Sequence, residues 1–391
     1  MPWKECGIME ERWAFVRRSQ ERGVVFRALC TEYGISTKTG YKWLKRYEEG
    51  GRQGLRDESR RPKRSPRQTE ESRVCGIVRM KQAHPKWGPK KIRWLCEQAG
   101  HGEVSLSTVK RVLRKAGMVE ARPRRRAGTP GRLVSGVESR APNDVWTVDF
   151  KGWWRVGAQR CEPLTLRDAY SRYVLSAQSC VGSGWMEVKA LFIEAFERYG
   201  LPLVIQSDNG SPFACTRALL GLSRLSVWWL AQGIDVHRSR PGCPQDNGGH
   251  ERMHLDIRRE IEGLIHGGLA EQQAALEAWR AEFNEVRPHE ALEMRRPVDL
   301  YRESARRYEA VQAEGIVYGA GFMPRQVTST GHIKVERRSV FVSTALTGWP
   351  VGLKHVERAR YELWFAQLQL GELDVETQQV KPARAGVSTL D

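Results

Sequence analysis

Residues 250–254 read His-Glu-Arg-Met-His. On a helix, histidines four apart share a face and can grip one metal ion, with the glutamate between them as general base, the pattern of a zinc protease. Such a site needs a third protein ligand, and downstream Glu285, in FNEVRP, is the candidate. A second arrangement competes for Glu251. Asp149 closes the apolar run VWTVD. Asp208 closes LVIQSD before Asn209 and Gly210 turn the chain, and Glu251 follows the loop RPGCPQDNGG at the start of a helical stretch. Carboxylates at strand ends meet in a cleft beside a sheet. Hard divalent cations such as Mg²⁺ take oxygen ligands. Two of them about 3.5–4 Å apart clamp the attacking and leaving oxygens of a phosphoryl transfer. Both readings use Glu251; they differ in what they ask of the histidines.

The elements that must position these groups follow from periodicity. VWTVDF, EPLTLRDA, YVLSAQS, PLVIQSD and IDVHRSR read as short strands, and GWMEVKALFIEAFERYG as an amphipathic helix with Trp185, Val188, Phe192, Ala195 and Phe196 on one stripe. This gives a mixed α/β domain over residues 142–301. His250 and His254 fall on the stripe of Met253, Ile257 and Ile261, which turns them toward the protein's own core. Asp168, in LRDAYSRY, reads as a hairpin-turn residue. Asn209 and Gly210 shape the turn that aims Asp208, while Gly248 and Gly249 can let backbone approach DNA. Arg252, Arg258 and Arg259 follow Glu251 and can hold phosphates. Arg287, Pro288 and His289 fasten the domain's last helix, because Pro288 fixes the backbone there. In residues 302–391, GHIKVERRSVFVS and YELWFAQLQLGELD alternate with period two, an all-β domain.

The N-terminal third differs in charge. Residues 1–140 hold 34 Lys/Arg against 15 Asp/Glu, a net +19 of the chain's +18, and the rest is near neutral. Such asymmetry points to a polyanionic partner, most often nucleic acid. FRALCTEYGISTKTGYKWLKRY fits helix, turn at Gly34, helix, with Tyr41, Leu44 and Tyr47 inward and Lys38, Lys42, Lys45 and Arg46 outward. WGPKKIRWLCEQAG and SLSTVKRVLRKAG repeat the plan, with Val109, Val112 and Leu113 inside and Lys110, Arg111, Arg114 and Lys115 outside. Two basic helix-turn-helix units favour recognition of duplex DNA through the major groove. ARPRRRAGTPGR, with Arg124, Arg125 and Arg126, reads as a strap on phosphates. The predicted boundaries are 1–56 and 70–118 for the two units, with linkers 57–69 and 119–141.

The eight cysteines form no C-x-x-C pair, and the N-terminus MPWKECGIMEERW is charged throughout. The most apolar stretch, LSVWWLAQGI, falls far short of the roughly 20 residues of a membrane helix. These features give the expectation of a reducing, cytoplasmic setting with no membrane partner.

WTVDF, IQSDNGSPFA, RPGCPQDNGGHERMH and FNEVRPHEAL, in that order, resemble an insertion-sequence transposase of the DDE type with a retroviral-integrase type catalytic core. The resemblance covers nearly the whole chain. It implies a multidomain protein: two all-α helix-turn-helix domains, an α/β ribonuclease-H-like core and a small all-β barrel domain. It implies Asp149, Asp208 and Glu251 as catalytic residues and metal ligands, Mg²⁺ as cofactor with Mn²⁺ as substitute, double-stranded DNA as partner, and a homo-oligomer of at least two chains on DNA. The family places about 35 residues between the second Asp and the Glu; here 42 intervene. TRALLGLSRLSVWWL is the expected home of the surplus, as an extended helical segment. Two further readings remain for test: a DNA-binding regulator with an inactive core, and the zinc protease.

Overall fold

The computed structural model describes residues 7–58, 68–119, 137–180, 182, 184–240, 248–264 and 267–383. The chain divides into two compact units, residues 1–69 and 70–391.

In the first unit, α1 (Ile8–Ser19), α2 (Phe26–Glu32) and α3 (Thr37–Gly50) close on Phe15, Val16, Leu29, Cys30, Trp43 and Leu55. Gly34, at φ +64°, makes the turn, and the Ser36 side chain accepts from the Thr39 N–H at 3.2 Å to cap α3. The rotation of α3 departs from the sequence expectation: Trp43 is buried and Tyr41 is 61% exposed. The reason lies at Gly40, where a Cβ would come within 2.7 Å of Cys30 Sγ. The absent side chain lets α3 press Gly40 into the core, which carries Trp43 in and swings Tyr41 out.

The second unit opens with α4 (Glu71–Ala83), α5 (Pro89–Gln98) and α6 (Leu106–Lys115) around Ile77, Trp87, Ile92, Cys96, Val109 and Leu113. Ser105 caps α6 through the Thr108 N–H at 3.2 Å. Helix α4 was not read from the sequence as a separate element.

A six-stranded sheet follows, with β1 (Val145–Phe150), β2 (Trp154–Val156), β3 (Gln159–Asp168), β4 (Val174–Cys180), β5 (Val204–Ser207) and β6 (Asp235–Arg238). Strand β3 pairs antiparallel with β1, β2 and β4, while β1, β5 and β6 run parallel. This is a ribonuclease-H-like order, consistent with the expected α/β core. Strand β1 is buried on both faces. Trp146 and Val148 join the cluster with α7 (Trp185–Tyr199) and α8 (Arg224–Ala231). The opposite face carries Thr147 and Asp149 and is covered by α9 (Gly248–Glu260) and α10 (Leu269–Glu285), which pack through Met253, Ile257, Ile261, Leu276, Trp279 and Phe283. A short helix, α11 (Pro297–Leu300), ends the core.

The segment expected to absorb the surplus between Asp208 and Glu251 is not an extended helix. Helix α8 has eight residues and is preceded by a 3-10 turn at Leu219–Gly221. Both its faces are used: Leu225, Trp228 and Trp229 pack into the core, and Val227 and Leu230, with Leu222, pack against the C-terminal strands. A helix apolar all round gives the sequence no outward face to read.

The C-terminal residues form a five-stranded antiparallel sheet of β7 (Phe322–Gln326), β10 (Pro350–Glu357), β11 (Arg360–Phe365), β12 (Leu368–Asp374) and β13 (Gln379–Pro382), and a hairpin of β8 (His332–Val335) and β9 (Arg338–Phe341). The domain is all-β as expected. A closed barrel is not shown: among the described residues β7 and β13 are the edges of the five-stranded ladder. No described helix is long and apolar enough to cross a membrane.

Candidate active site

Strand register brings the first two acids together. Thr147 of β1 lies opposite Gln206 of the parallel strand β5. Asp149 and Asp208 each stand two residues beyond that pair, so they leave the ends of neighbouring strands side by side, about 4.8 Å apart in the ladder direction. Gly210 N–H donates to Asp208 Oδ1 at 3.0 Å, and Asn209 Nδ2 donates to the Ser239 carbonyl at 2.7 Å. The turn thus holds Asp208 by its own carboxylate while leaving it exposed. Glu251 is exposed in the first turn of α9.

Electrostatics ties the three together. Burial pushes the Asp149 carboxyl up to about 7, and the charges of Asp208 and Glu251 add to the effect. Uncompensated acids of this kind are what a hard divalent cation relieves, and the donors are all oxygens. The residues therefore fit a hard divalent cation.

The histidines face inward. His250 is fully buried, with Nε2 2.7 Å from Thr147 Oγ1 and Nδ1 3.1 Å from Thr165 Oγ1. His254 Nε2 lies 2.8 Å from Thr165 Oγ1, and the Thr165 hydroxyl donates to the Asp149 carbonyl at 3.0 Å. With the Thr165 hydroxyl donating to the Asp149 carbonyl, both histidines donate to Thr165, and neutral His250 accepts at Nε2 from Thr147, whose hydroxyl also lies 3.4 Å from the Arg167 carbonyl. Burial lowers both imidazoles, His254 to about 4, so they are neutral. Asp149, His250 and His254 do fall within 4.8 Å of one another, the size of a metal cluster. Hydrogen bonding argues against a zinc site there, because both His250 nitrogens are already engaged. Glu285 ends α10 as an exposed residue. The two histidines brace the strand that carries Asp149.

Sequence reading passed over Thr147, Thr165 and Arg167. The signal was present as polar residues two apart within otherwise apolar strands. Arg167 is 8% exposed and its Nε has no hydrogen-bond partner. A Cβ on Gly249 would come within 2.2 Å of its guanidinium. Gly249 therefore makes room for Arg167 under α9, where sequence analysis expected an approach to DNA. Asp168 is fully buried and accepts from Asn143 N–H and from the Ser171 N–H and hydroxyl at 2.6–2.7 Å, the turn role read from the sequence.

A helix-turn-helix domain model matches residues 11–63, a homeodomain-like domain model residues 39–113, and an integrase core domain model residues 232–297. The chain is 26% identical over 225 residues to an uncharacterized 31.7 kDa protein of insertion element IS407 from Burkholderia multivorans, covering 57% of this chain and 78% of that protein. It is 27% identical over 216 residues to an uncharacterized 39.2 kDa protein of insertion element IS476 from Xanthomonas euvesicatoria, covering 54% and 60%. The integrase core and helix-turn-helix matches, together with the insertion-element relatives, support an insertion-sequence transposase with an integrase-type core. Among solved structures, the HTLV-2 integrase catalytic core domain in complex with magnesium aligns with 16% identity and a TM-score of 0.34, covering 42% of this chain and 100% of that domain.

The chain spans 60% of its Xanthomonas relative. The matched core segment contains Glu251 but begins after Asp149 and Asp208. On the recognition helices, Lys38, Lys42 and Lys45 of α3 are exposed, and Lys45 pairs with Glu49 at 3.8 Å. Arg46 is drawn in: it pairs with Glu58 at 2.6 Å and lies 5.3 Å from the Trp43 ring. Lys110, Arg111, Arg114 and Lys115 of α6 are all exposed. On α9, Arg252 reaches Asp256 at 3.7 Å and Arg258 is exposed. Arg124, Arg125 and Arg126 lie outside the described residues.

Proposed function

We propose that this chain is a transposase that binds the terminal inverted repeats of its mobile element through the two helix-turn-helix units, and cuts and joins DNA with Asp149, Asp208 and Glu251 holding two Mg²⁺ ions, for which Mn²⁺ can substitute. The observation that carries the reading is the raised Asp149 carboxyl, held up by burial and by Asp208 and Glu251 beside it. When bound, the ions supply an activated water and neutralise charge on the scissile phosphodiester.

The chain's own residues position and orient. Strands β1 and β5 present Asp149 and Asp208 side by side, and Thr165 with its two histidines stiffens the end of β1. Gly210 fixes the Asp208 carboxylate, and α9 delivers Glu251. Cleavage at the element's end frees a 3′-hydroxyl, and that hydroxyl displaces a phosphodiester bond in target DNA. Each step exchanges one P–O bond for another, so no covalent enzyme intermediate is needed. Two ends must be handled together, which calls for at least two chains. We place the protein in the cytoplasm, on chromosomal or plasmid DNA. The C-terminal sheet and its hairpin, sharing one core, are assigned to a small barrel-like module.

The test is Mg²⁺-dependent nicking of a labelled duplex carrying the element's end, followed by transfer to a second duplex. Cleavage that persists in chelator, or an Asp208→Asn variant that cuts at the normal rate, would sink the reading. Binding without any cleavage would support the inactive-regulator reading instead.

A further inference from the structure

Helix α9 has three sides. At about 100° per residue, Met253, Ile257 and Ile261 form the side against the sheet, and Glu251, Leu255 and Arg258 share the open side. Asp256 and Glu260 lie about 140° and 180° round from Glu251, and both meet Arg287. Arg287 is 1% exposed. Its guanidinium reaches Asp256 at 3.4 Å, Glu282 at 3.1 Å and Glu260 in a close pair, and Trp279 Nε1 donates to Glu260 at 2.8 Å. A buried cation with three acids is held by geometry, since loss of one partner leaves uncompensated charge.

The lid on this cation comes from the second helix-turn-helix unit. Trp87, 3% exposed, stacks on His84 with ring centroids 4.0 Å apart, and the Arg287 guanidinium lies 5.3 Å from the Trp87 ring. Trp279 and Phe283 take the same guanidinium at 5.8 and 5.4 Å. Around this stack, Lys90 pairs with Glu290, and His84 Nδ1 lies 3.9 Å from Glu282. The contact thus runs from the helix carrying Glu251, through Arg287, to the DNA-reading unit.

We propose that Trp87 is a positioning residue for Glu251: docking of the second helix-turn-helix unit on Arg287 fixes the rotation of α9 and so the placement of its acid in the cleft. The inference rests on the proposed role of Glu251. It adds that the unit which reads DNA also completes the site that cuts it.

Hydrogen–deuterium exchange of the full chain reads this without cleavage. With Trp87→Ala, amides of residues 255–260 are expected to exchange about tenfold faster, while those of α7 are unchanged. Single-turnover cleavage at saturating end DNA, where a change of affinity does not enter the rate, is expected to fall about tenfold to a hundredfold. Trp87→Phe, which keeps a ring over Arg287, should retain both properties. If wild type cleaves and Trp87→Ala matches it in exchange and rate, the proposal is overturned. If wild type does not cleave, the triad reading fails, and the exchange of α9 alone decides the docking. Should Trp87→Ala lose helical circular dichroism, Lys90→Glu replaces it: faster α9 exchange, restored by adding Glu290→Lys, supports the docking, and no change in either overturns it.

Discussion

The basic recognition helices and the acidic cleft solve opposite problems. Most cations of α3 and α6 stand in solvent, where charge is cheap and a phosphate can displace water. The Asp149 carboxyl is pushed into the protein beside two other acids, where charge is costly and a metal ion is the natural relief. The two helices also differ from each other. Helix α3 commits Lys45 and Arg46 to pairs within its own unit, whereas Lys110, Arg114 and Lys115 of α6 make no ion pair among the described residues. On the proposed function, binding and chemistry sit on separable groups, with α6 the less committed reader.

The sharpest way to break that separation is at the cleft. Asp208→Asn or Glu251→Gln is expected to cut cleavage on the order of a thousandfold while end binding survives, measured by single-turnover nicking beside a gel-shift titration. Loss of binding in step with loss of cleavage would merge the two regions. Removing Lys110, Arg114 and Lys115 together should do the reverse. The slope of log affinity against log salt should flatten by up to about 2.7, from roughly 0.9 per phosphate contact, with the cleavage rate at saturating DNA retained. A salt slope equal to wild type would take α6 off the DNA.

The Asp149 carboxyl gives a smaller, pH-dependent effect. Its value of about 7 exceeds the ordinary 3.8, so the folded chain binds this proton more tightly than the unfolded chain. The stability it contributes is complete below about pH 4 and is lost as pH climbs to 7. Metal-free protein should therefore lose roughly 2 kcal/mol across that range by urea titration, a figure reduced for solvent at a side chain 24% exposed. Asp149→Asn should remove this dependence. Since proton and metal compete, the Mg²⁺ needed for half-maximal cleavage should rise roughly tenfold from pH 8 to pH 6. The smallest effect belongs to His254→Ala. It should cost about 1–2 kcal/mol of stability through the lost Thr165 bond, with cleavage kept within a few-fold. One zinc per chain by elemental analysis, lost with activity in this variant, would restore the zinc reading.

Of the three proposed acids, Asp149 and Asp208 were legible in sequence because each ends an apolar run that reads as a strand, and Glu251 because it follows a polar, Gly-rich loop at the start of a helical stretch. Strand register, which sets Asp149 beside Asp208, was not, because pairing is a property of two segments. The histidine pair was half legible: helical spacing gave its inward face, but its threonine partners lie on two other strands. Tyr41 shows the same limit on a small scale. Its rotation depends on how closely Gly40 meets Cys30, a contact no local pattern contains. Arg46 looked outward by periodicity and was drawn in by Glu58 and Trp43. Arg287 was read as a fastener of the last core helix, and its embrace by Trp87 needed the fold.

Helix α8 makes the C-terminal sheet hard to remove. Its Trp228 and Trp229 belong to one core and its Val227 and Leu230 to another, while Trp349 packs against both. Shared layers of this kind couple the melting of their neighbours, so a chain cut after residue 301 would keep the acids yet bare a greasy flank on α8. A chain shortened in this way is expected to aggregate, and fusions are better placed at the C-terminal edge strand than inside it.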